Sequence, residues 1–333
     1  MKTRIIVYVL PALILAAIHL AEAQQPLKIF RVGMLGTESK ERKERIAQYL
    51  HELGYIEGKN VVYEIRAIGS PPEPYADFAA ELVQLKVDVI VAGGAGAVGA
   101  AKNASATIPI VMGPVSDPIA LGYVESLAHP GGNITGISNL SPELSGKRLE
   151  LVKEVIPKAT RVAVLAYRAP AMRTSIKETE DAARALHMQF QLLEITAPDQ
   201  LESVFDTAKK QRAKALIQIQ AAFLAPYQHR IIDLASRNRL PAMFNNKVYV
   251  EAGGLMSYGP DRVDMDRQLA LIVDKILKGR KPADLPVEQP KKFELAINLL
   301  TAKQIGLTIP PNVLARADKV IKWQRATNTL KNR

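Results

Sequence analysis

Two rounds of strand, glycine turn and helix follow one another along this chain, and that alternation constrains the fold more than any other feature. The first round opens at Arg31-Val32-Gly33-Met34-Leu35-Gly36. An apolar run that ends in glycine predicts a strand buried on both faces. A helix follows over 38–53, closed by Gly54. Strands at 60–66, 87–92 and 109–112 then alternate with helices at 75–85, 97–104 and around 120–127. The turn Pro130-Gly131-Gly132-Asn133 leads into 134–137. Parallel strands need a crossover helix between them, so the pattern predicts an α/β fold with a parallel sheet covered on both faces.

The second round repeats the first. After a helix over 146–155, the strand Arg161-Val162-Ala163-Val164-Leu165-Ala166 opens as the first round did. Helices at 173–186, 201–211 and 227–237 alternate with strands at 190–195, 215–219 and 241–244. Such doubling predicts two like-folded lobes rather than one large sheet. Beyond Gly253-Gly254 come a strand at 255–258, a helix over 262–277, a Pro-rich crossing at 282–290, and a strand and helix over 293–305. Both lobes therefore receive late pieces. The expected division is 28–139 plus 254–283 for lobe one, 140–253 plus 284–322 for lobe two, and a polar tail over 323–333. A chain that crosses several times between two lobes makes a hinge that can close on a ligand.

The N-terminus predicts export. Lys2 and Arg4 precede an apolar run from Ile5 to Leu20, and Ala21-Glu22-Ala23 supplies a small-x-small site. These are the three parts of a signal peptide, with 1–23 removed after Ala23 and Gln24 as the first mature residue. The run holds Pro11 and His19 and is shorter than the roughly 20 apolar residues that span a bilayer. The mature chain is thus expected to be soluble and periplasmic. With no cysteine, a lipid anchor on cysteine, disulfides and thiolate metal sites are excluded.

The formal charge of +11 raises the question of nucleic acid. The basic residues are interspersed with acids, as over 38–45, and none is interleaved with stacking aromatics, so no nucleic-acid partner is expected. His51, His129, His187 and His229 have no neighbours at metal-ligand spacing, and no metal or cofactor is expected. Neither a nucleophile elbow nor a phosphate-binding P-loop motif occurs, and enzymatic chemistry has no residues to carry it.

One motif imitates a dinucleotide site. Gly94-Ala95-Gly96-Ala97-Val98-Gly99 follows a strand and opens a helix, with Asp117 about 20 residues on. The motif lies on the third strand of its lobe, and export argues against a redox cofactor loaded in the cytoplasm. A glycine turn feeding a helix N-terminus would hold a small carboxylate equally well. Asp117, in Val115-Ser116-Asp117-Pro118, lies past a strand's carboxyl end, where open α/β sheets place ligands. Capping the following turn is an equal alternative for it.

The segments Glu52-Leu53-Gly54-Tyr55-Ile56-Glu57-Gly58-Lys59-Asn60-Val61, Asp117-Pro118, Pro130-Gly131-Gly132-Asn133-Ile134-Thr135-Gly136 and Ala252-Gly253-Gly254-Leu255-Met256-Ser257-Tyr258-Gly259 carry a resemblance. So does Leu285-Pro286-Val287-Glu288-Gln289-Pro290. Together they make the chain resemble the ABC transporter substrate-binding proteins of the periplasmic-binding-protein-like I fold, related to tryptophan- and phenylalanine-binding members. The resemblance implies two Rossmann-like lobes joined by a multi-strand hinge, with a small polar organic solute, amino-acid-like or an amide, held between them.

It places ligand contacts at Gly36 and Thr37, at Gly94, Ala95, Gly96 and Ala97, and at Asp117. On the other lobe it places them at Ala166, Tyr167, Gln220, Ala221, Asn245 and Asn246. Thr37 and backbone N–H groups would take a carboxylate and Asp117 an ammonium. Family members commonly carry a hydroxyl where this chain has Ala95 and Ala97. Tyr167, Phe223 and Tyr249 would suit a flat or apolar part of the ligand. The implied partner is an inner-membrane permease, with the chain itself a monomer. A sensor module docking a receptor kinase, and a nucleotide-dependent oxidoreductase, are the competing readings.

Overall fold

The computed structural model describes residues 28–36, 40–67, 75–139, 143–219 and 221–322. The expected leader over 1–23, Thr37 and Gln220 lie outside them, as does the polar tail over 323–333. The first round folds as β1 (Phe30–Gly36), α1 (Lys40–Glu52), β2 (Val61–Ala67), α2 (Tyr75–Gln84), β3 (Val89–Gly93), α3 (Gly94–Ala104), β4 (Ile110–Val115) and β5 (Ile134–Ser138). Its strands form an all-parallel sheet in the order β2-β1-β3-β4-β5.

The second round gives α4 (Leu144–Val155), β6 (Arg161–Tyr167), α5 (Arg173–Ala185), β7 (Gln189–Ile195), α6 (Leu201–Lys210), β8 (Ala215–Gln218), α7 (Gln228–Arg237) and β9 (Ala242–Phe244). Then come α8 (Lys247–Glu251), β10 (Met256–Pro260), α9 (Arg262–Leu277), β11 (Phe293–Asn298), α10 (Leu299–Gln304), α11 (Pro311–Leu314) and β12 (Lys319–Ile321). The second sheet runs β12-β11-β10-β9-β8-β6-β7, with β11 antiparallel to β10. Read from β7, its first five strands repeat the winding of the first sheet. The α/β, two-lobed architecture expected from the doubled round is the one observed.

Period-two alternation explains why these runs are apolar throughout. On β1, Val32 and Met34 enter the core beneath α1 and α9, while Leu35 enters the core beneath α2 and α3. On β6, Val162, Val164 and Ala166 enter one core of the second lobe and Ala163 and Leu165 the other. Each face of each sheet is thus covered, and each large aliphatic side chain so buried contributes about 1.5–3 kcal/mol relative to exposure.

Several elements depart from the expected pattern. The strand expected at 255–258 with lobe one is β10, which pairs with β9 and β11 in the second sheet. The chain then returns to lobe one, where Met265, Leu269, Val273 and Ile276 of α9 pack with Ile46 and Leu50 of α1. Leu285 and Val287, expected in lobe two, also enter the cores of lobe one, and Ile137 bridges Glu288. The helix expected around 120–127 is a series of turns, because Gly122 at φ +66° takes the backbone out of the right-handed region. Among the described residues, no helix is long and apolar enough to cross a membrane.

Candidate functional site

Strand order reverses between β1 and β3, so the loops leaving their carboxyl ends diverge and open a crevice. A recess lies at that point, floored by Gly36 and Gly93 at the ends of β1 and β3 and by Gly113 of β4, with Arg42 and Lys43 of α1 beside it. Gly36 adopts φ +139°, and a Cβ there would come within 2.9 Å of the Gly93 carbonyl oxygen. At Gly36 the floor is therefore bare backbone by steric necessity.

Arg42 is only 4 % exposed and Asp266 1 %. The Arg42 Nε donates to Asp266 Oδ1 at 2.6 Å, and an Arg45 guanidinium nitrogen donates to Oδ2 at 2.9 Å. One carboxylate of α9 thus serves two guanidiniums of α1. Sequence reasoning read 38–45 as a solvated charged stretch and missed this. The usable signal is spacing: Arg42, Ile46 and Leu50 recur every four residues, and the last two are apolar, which puts Arg42 on the buried stripe.

The glycine motif opens a helix. Gly94, Ala95, Gly96 and Ala97 form the first turn of α3, with Gly93 at its N-cap position. A Cβ at Gly96 would sit 2.9 Å from the Tyr75 ring, and one at Gly99 3.2 Å from the Tyr123 hydroxyl. Those glycines make room for two tyrosines. The Tyr123 hydroxyl donates to the Ala95 carbonyl at 2.7 Å, and the Ala97 methyl is wholly buried in the core, so Ala97 presents only backbone at this turn.

Asp117 does two things at once. Its Oδ1 accepts the Ala120 N–H at 3.0 Å, the expected cap, and its Oδ2 accepts the Thr174 hydroxyl at 2.9 Å. Thr174 lies in the first turn of α5, so this bond joins the strand-end loops of the two lobes.

On lobe two, Tyr167 and Phe223 stack with ring centroids 4.1 Å apart at the ends of β6 and β8, and Ala221 is half-buried beside them. Ala166, at the same strand end, turns its methyl into the core because it alternates with Tyr167. Asn246 donates to the Asn245 side chain at 2.6 Å and caps α8 by accepting the Val248 N–H. Tyr249, expected near the ligand, is 5 % exposed, stacks on Phe244 and accepts a bond from Gln218. Burial pushes its phenol up to about 12. Arg148, which sequence reading did not single out, is buried at the ends of β9 and β10, where its Nε donates to the Tyr258 carbonyl at 2.8 Å. Desolvation lowers its pKa to about 10.

The geometry has a counterpart in known proteins. Residues 37–321 match the family model described as ABC transporter substrate binding protein. The chain is 26 % identical over 290 residues to a tyrosine-binding protein of Clostridioides difficile, covering 80 % of this chain and 76 % of that one. A conserved domain protein from Vibrio cholerae superposes with a TM-score of 0.82 and 28 % identity, over 88 % of this chain and 100 % of that one. An ABC domain in complex with L-Trp from Streptococcus superposes with the same score at 24 % identity, over 88 % and 100 %, which supports the fold. The chain belongs to the family of ABC transporter substrate binding proteins, and its role is binding rather than catalysis.

Proposed function

We propose that the mature chain captures an amino-acid-like solute or a related amide between its lobes and delivers it to a permease in the inner membrane. The observation that carries this reading is the recess at the β1/β3 switch point, set on the side of lobe one that Asp117 ties to lobe two. The Tyr167–Phe223 ring pair offers the opposing lobe a flat apolar surface. A relative that binds tyrosine supports the amino-acid class.

Export follows from the leader, with cleavage after Ala23 and a monomer working in the periplasm. Hinge closure is the motion the design calls for, with one lobe centred on the first sheet and the other on the second. The chain leaves lobe one after Asn139, and passes between the lobes again at 260–262 and at 289–292, and three crossings favour a bending motion over free rotation.

Mass spectrometry of solute released from natively purified protein tests this. One small amino-acid-like solute per chain, which rebinds to the stripped protein in calorimetry, is the expected result. Release of a nucleotide cofactor, or stripped protein that rebinds no small solute, would contradict it.

A further inference from the structure

We propose that the edge of lobe two opposite the cleft is a membrane-contact surface, which holds the protein reversibly on anionic phospholipid headgroups. This goes beyond the capture reading and does not depend on it.

Strands β6, β7, β8 and β9 are parallel, so their amino ends share one edge of the second sheet, away from Tyr167 and Asn245. The loops that enter them, 156–160, 186–188, 211–214 and 238–241, lie side by side along that edge. The Gln189 N–H bonds to the Thr160 carbonyl and the Lys214 N–H to the Arg161 carbonyl, which ties neighbouring loops together. These loops hold Lys158, Arg212, Lys214 and Arg239, all exposed, and no acidic residue. Among the described residues none of the four enters an ion pair. Arg161, at the head of β6, bonds to neutral partners, the Gln189 side chain at 2.9 Å and the Gln211 carbonyl. With neighbouring strands about 4.8 Å apart, the basic row from β9 to β7 is about 15 Å long.

Helix C-termini favour cations, and that alone would place some basic residues here. Lobe one has the same arrangement of dipoles and shows no such excess. Its corresponding loops, 53–60, 85–88 and 105–109, carry Lys59 and Lys86 against Glu57 and Asp88.

Backbone conformation supplies an independent observation. After α1, α8, α9 and α10 the residue that turns left-handed is glycine, at Gly54, Gly253, Gly279 and Gly306. After α5, α6 and α7 it is His187, Arg212 and Arg239, at φ of 53°, 59° and 47°. Lys86, after α2, is the remaining case. A side chain at such φ is strained where glycine is not. Three successive helices of lobe two thus keep a basic residue at the one position that calls for glycine.

The cations stand on four separate loops that contain no Phe, Tyr or Trp. Bases would find nothing to stack on and a groove no single helix to receive. Charge spread along an edge suits a plane of laterally mobile headgroups.

The test is co-sedimentation of the mature protein with vesicles of about 30 % phosphatidylglycerol in phosphatidylcholine, beside vesicles of phosphatidylcholine alone. At low salt the wild type should bind the anionic vesicles at least about tenfold tighter, and lose that preference near 1 M salt, where the Debye length is about 3 Å. A variant carrying Lys158→Gln, Arg212→Gly, Lys214→Gln and Arg239→Gly should bind them about a hundredfold or more weaker, since each cation near an anionic surface contributes about fivefold. Its urea midpoint should equal or exceed that of the wild type, because glycine suits both left-handed positions. A control with equal charge loss on lobe one, Lys59→Gln, Lys86→Gln, Lys275→Gln and Arg280→Gln, should stay within about fivefold of the wild type.

Anionic vesicles bound no tighter than neutral ones, a lobe-two variant that binds as the wild type does, or a control that loses as much, would each overturn the proposal. Displacement by inorganic phosphate at an ionic strength where chloride has no effect would mark a single-phosphate site instead. Binding to duplex DNA without binding to vesicles would mark a nucleic-acid surface, and either result would overturn the proposal too. Should the lobe-two variant be destabilised, Arg212→Gly with Arg239→Gly decides alone, with an expected loss of about tenfold or more. Solute capture would stand in every case.

Discussion

Tyr249 and Gly259 show how single positions are fixed by their surroundings. The Tyr249 phenol titrates near 12 in the folded chain because it is buried, against an ordinary value of 10. The folded state therefore keeps a proton that the unfolded state loses, so the stability from this group is complete below pH 10 and disappears as pH rises to 12. The total is about 2–3 kcal/mol. Urea unfolding between pH 9 and 12 should show Tyr249→Phe losing stability with a slope shallower than the wild type; an identical slope would remove Tyr249 from the account. At Gly259 a Cβ would fall 1.8 Å from the Asn245 carbonyl oxygen. Gly259→Ala should force β9 and β10 apart and cost about 3 kcal/mol or more in the same measurement, at the upper end of overpacking effects. Neither constraint is visible in sequence, since a tyrosine five residues past a strand and a glycine at another strand's end look alike whether they face ligand or core.

At the scale of elements, the contact between α1 and α9 joins parts of the chain more than two hundred residues apart, and Asp266 is its polar centre. Asp266→Ala leaves two guanidiniums without their shared carboxylate and should cost about 3–5 kcal/mol, as removing one partner of a buried ion pair does. Denaturant unfolding checks this, and a loss under 1 kcal/mol would mean that the helices hold by apolar packing alone. The helix itself was legible in the sequence from its boundary glycine and apolar spacing. Its charged partner was not, because Asp266 sits in a distant segment with no local signal of pairing. The glycine motif was legible as a turn after a strand, but the reason for two of its glycines, room for Tyr75 and Tyr123, belongs to packing. β10 was legible as a strand yet assigned to the wrong lobe, since an apolar run records burial and not its neighbours.

For the whole molecule, the repeated strand-turn-helix round was enough to give two lobes, and the matching winding of the two sheets is its structural counterpart. What the sequence left open is how the lobes meet. Asp117 was weighed as ligand contact or cap, and its carboxylate both caps a turn and reaches Thr174 on the other lobe. Replacing Thr174 by Val removes that bond, so solute should leave faster with its arrival little changed, a shift of roughly threefold to tenfold in dissociation rate for one charge-assisted bond. Stopped-flow displacement measures it, and an unchanged dissociation rate would confine Asp117 to capping. The most direct test of capture between lobes is small-angle scattering from the mature protein, stripped and then saturated with its own solute. A smaller radius of gyration with solute bound is the predicted result, and an unchanged radius at full occupancy would contradict the account.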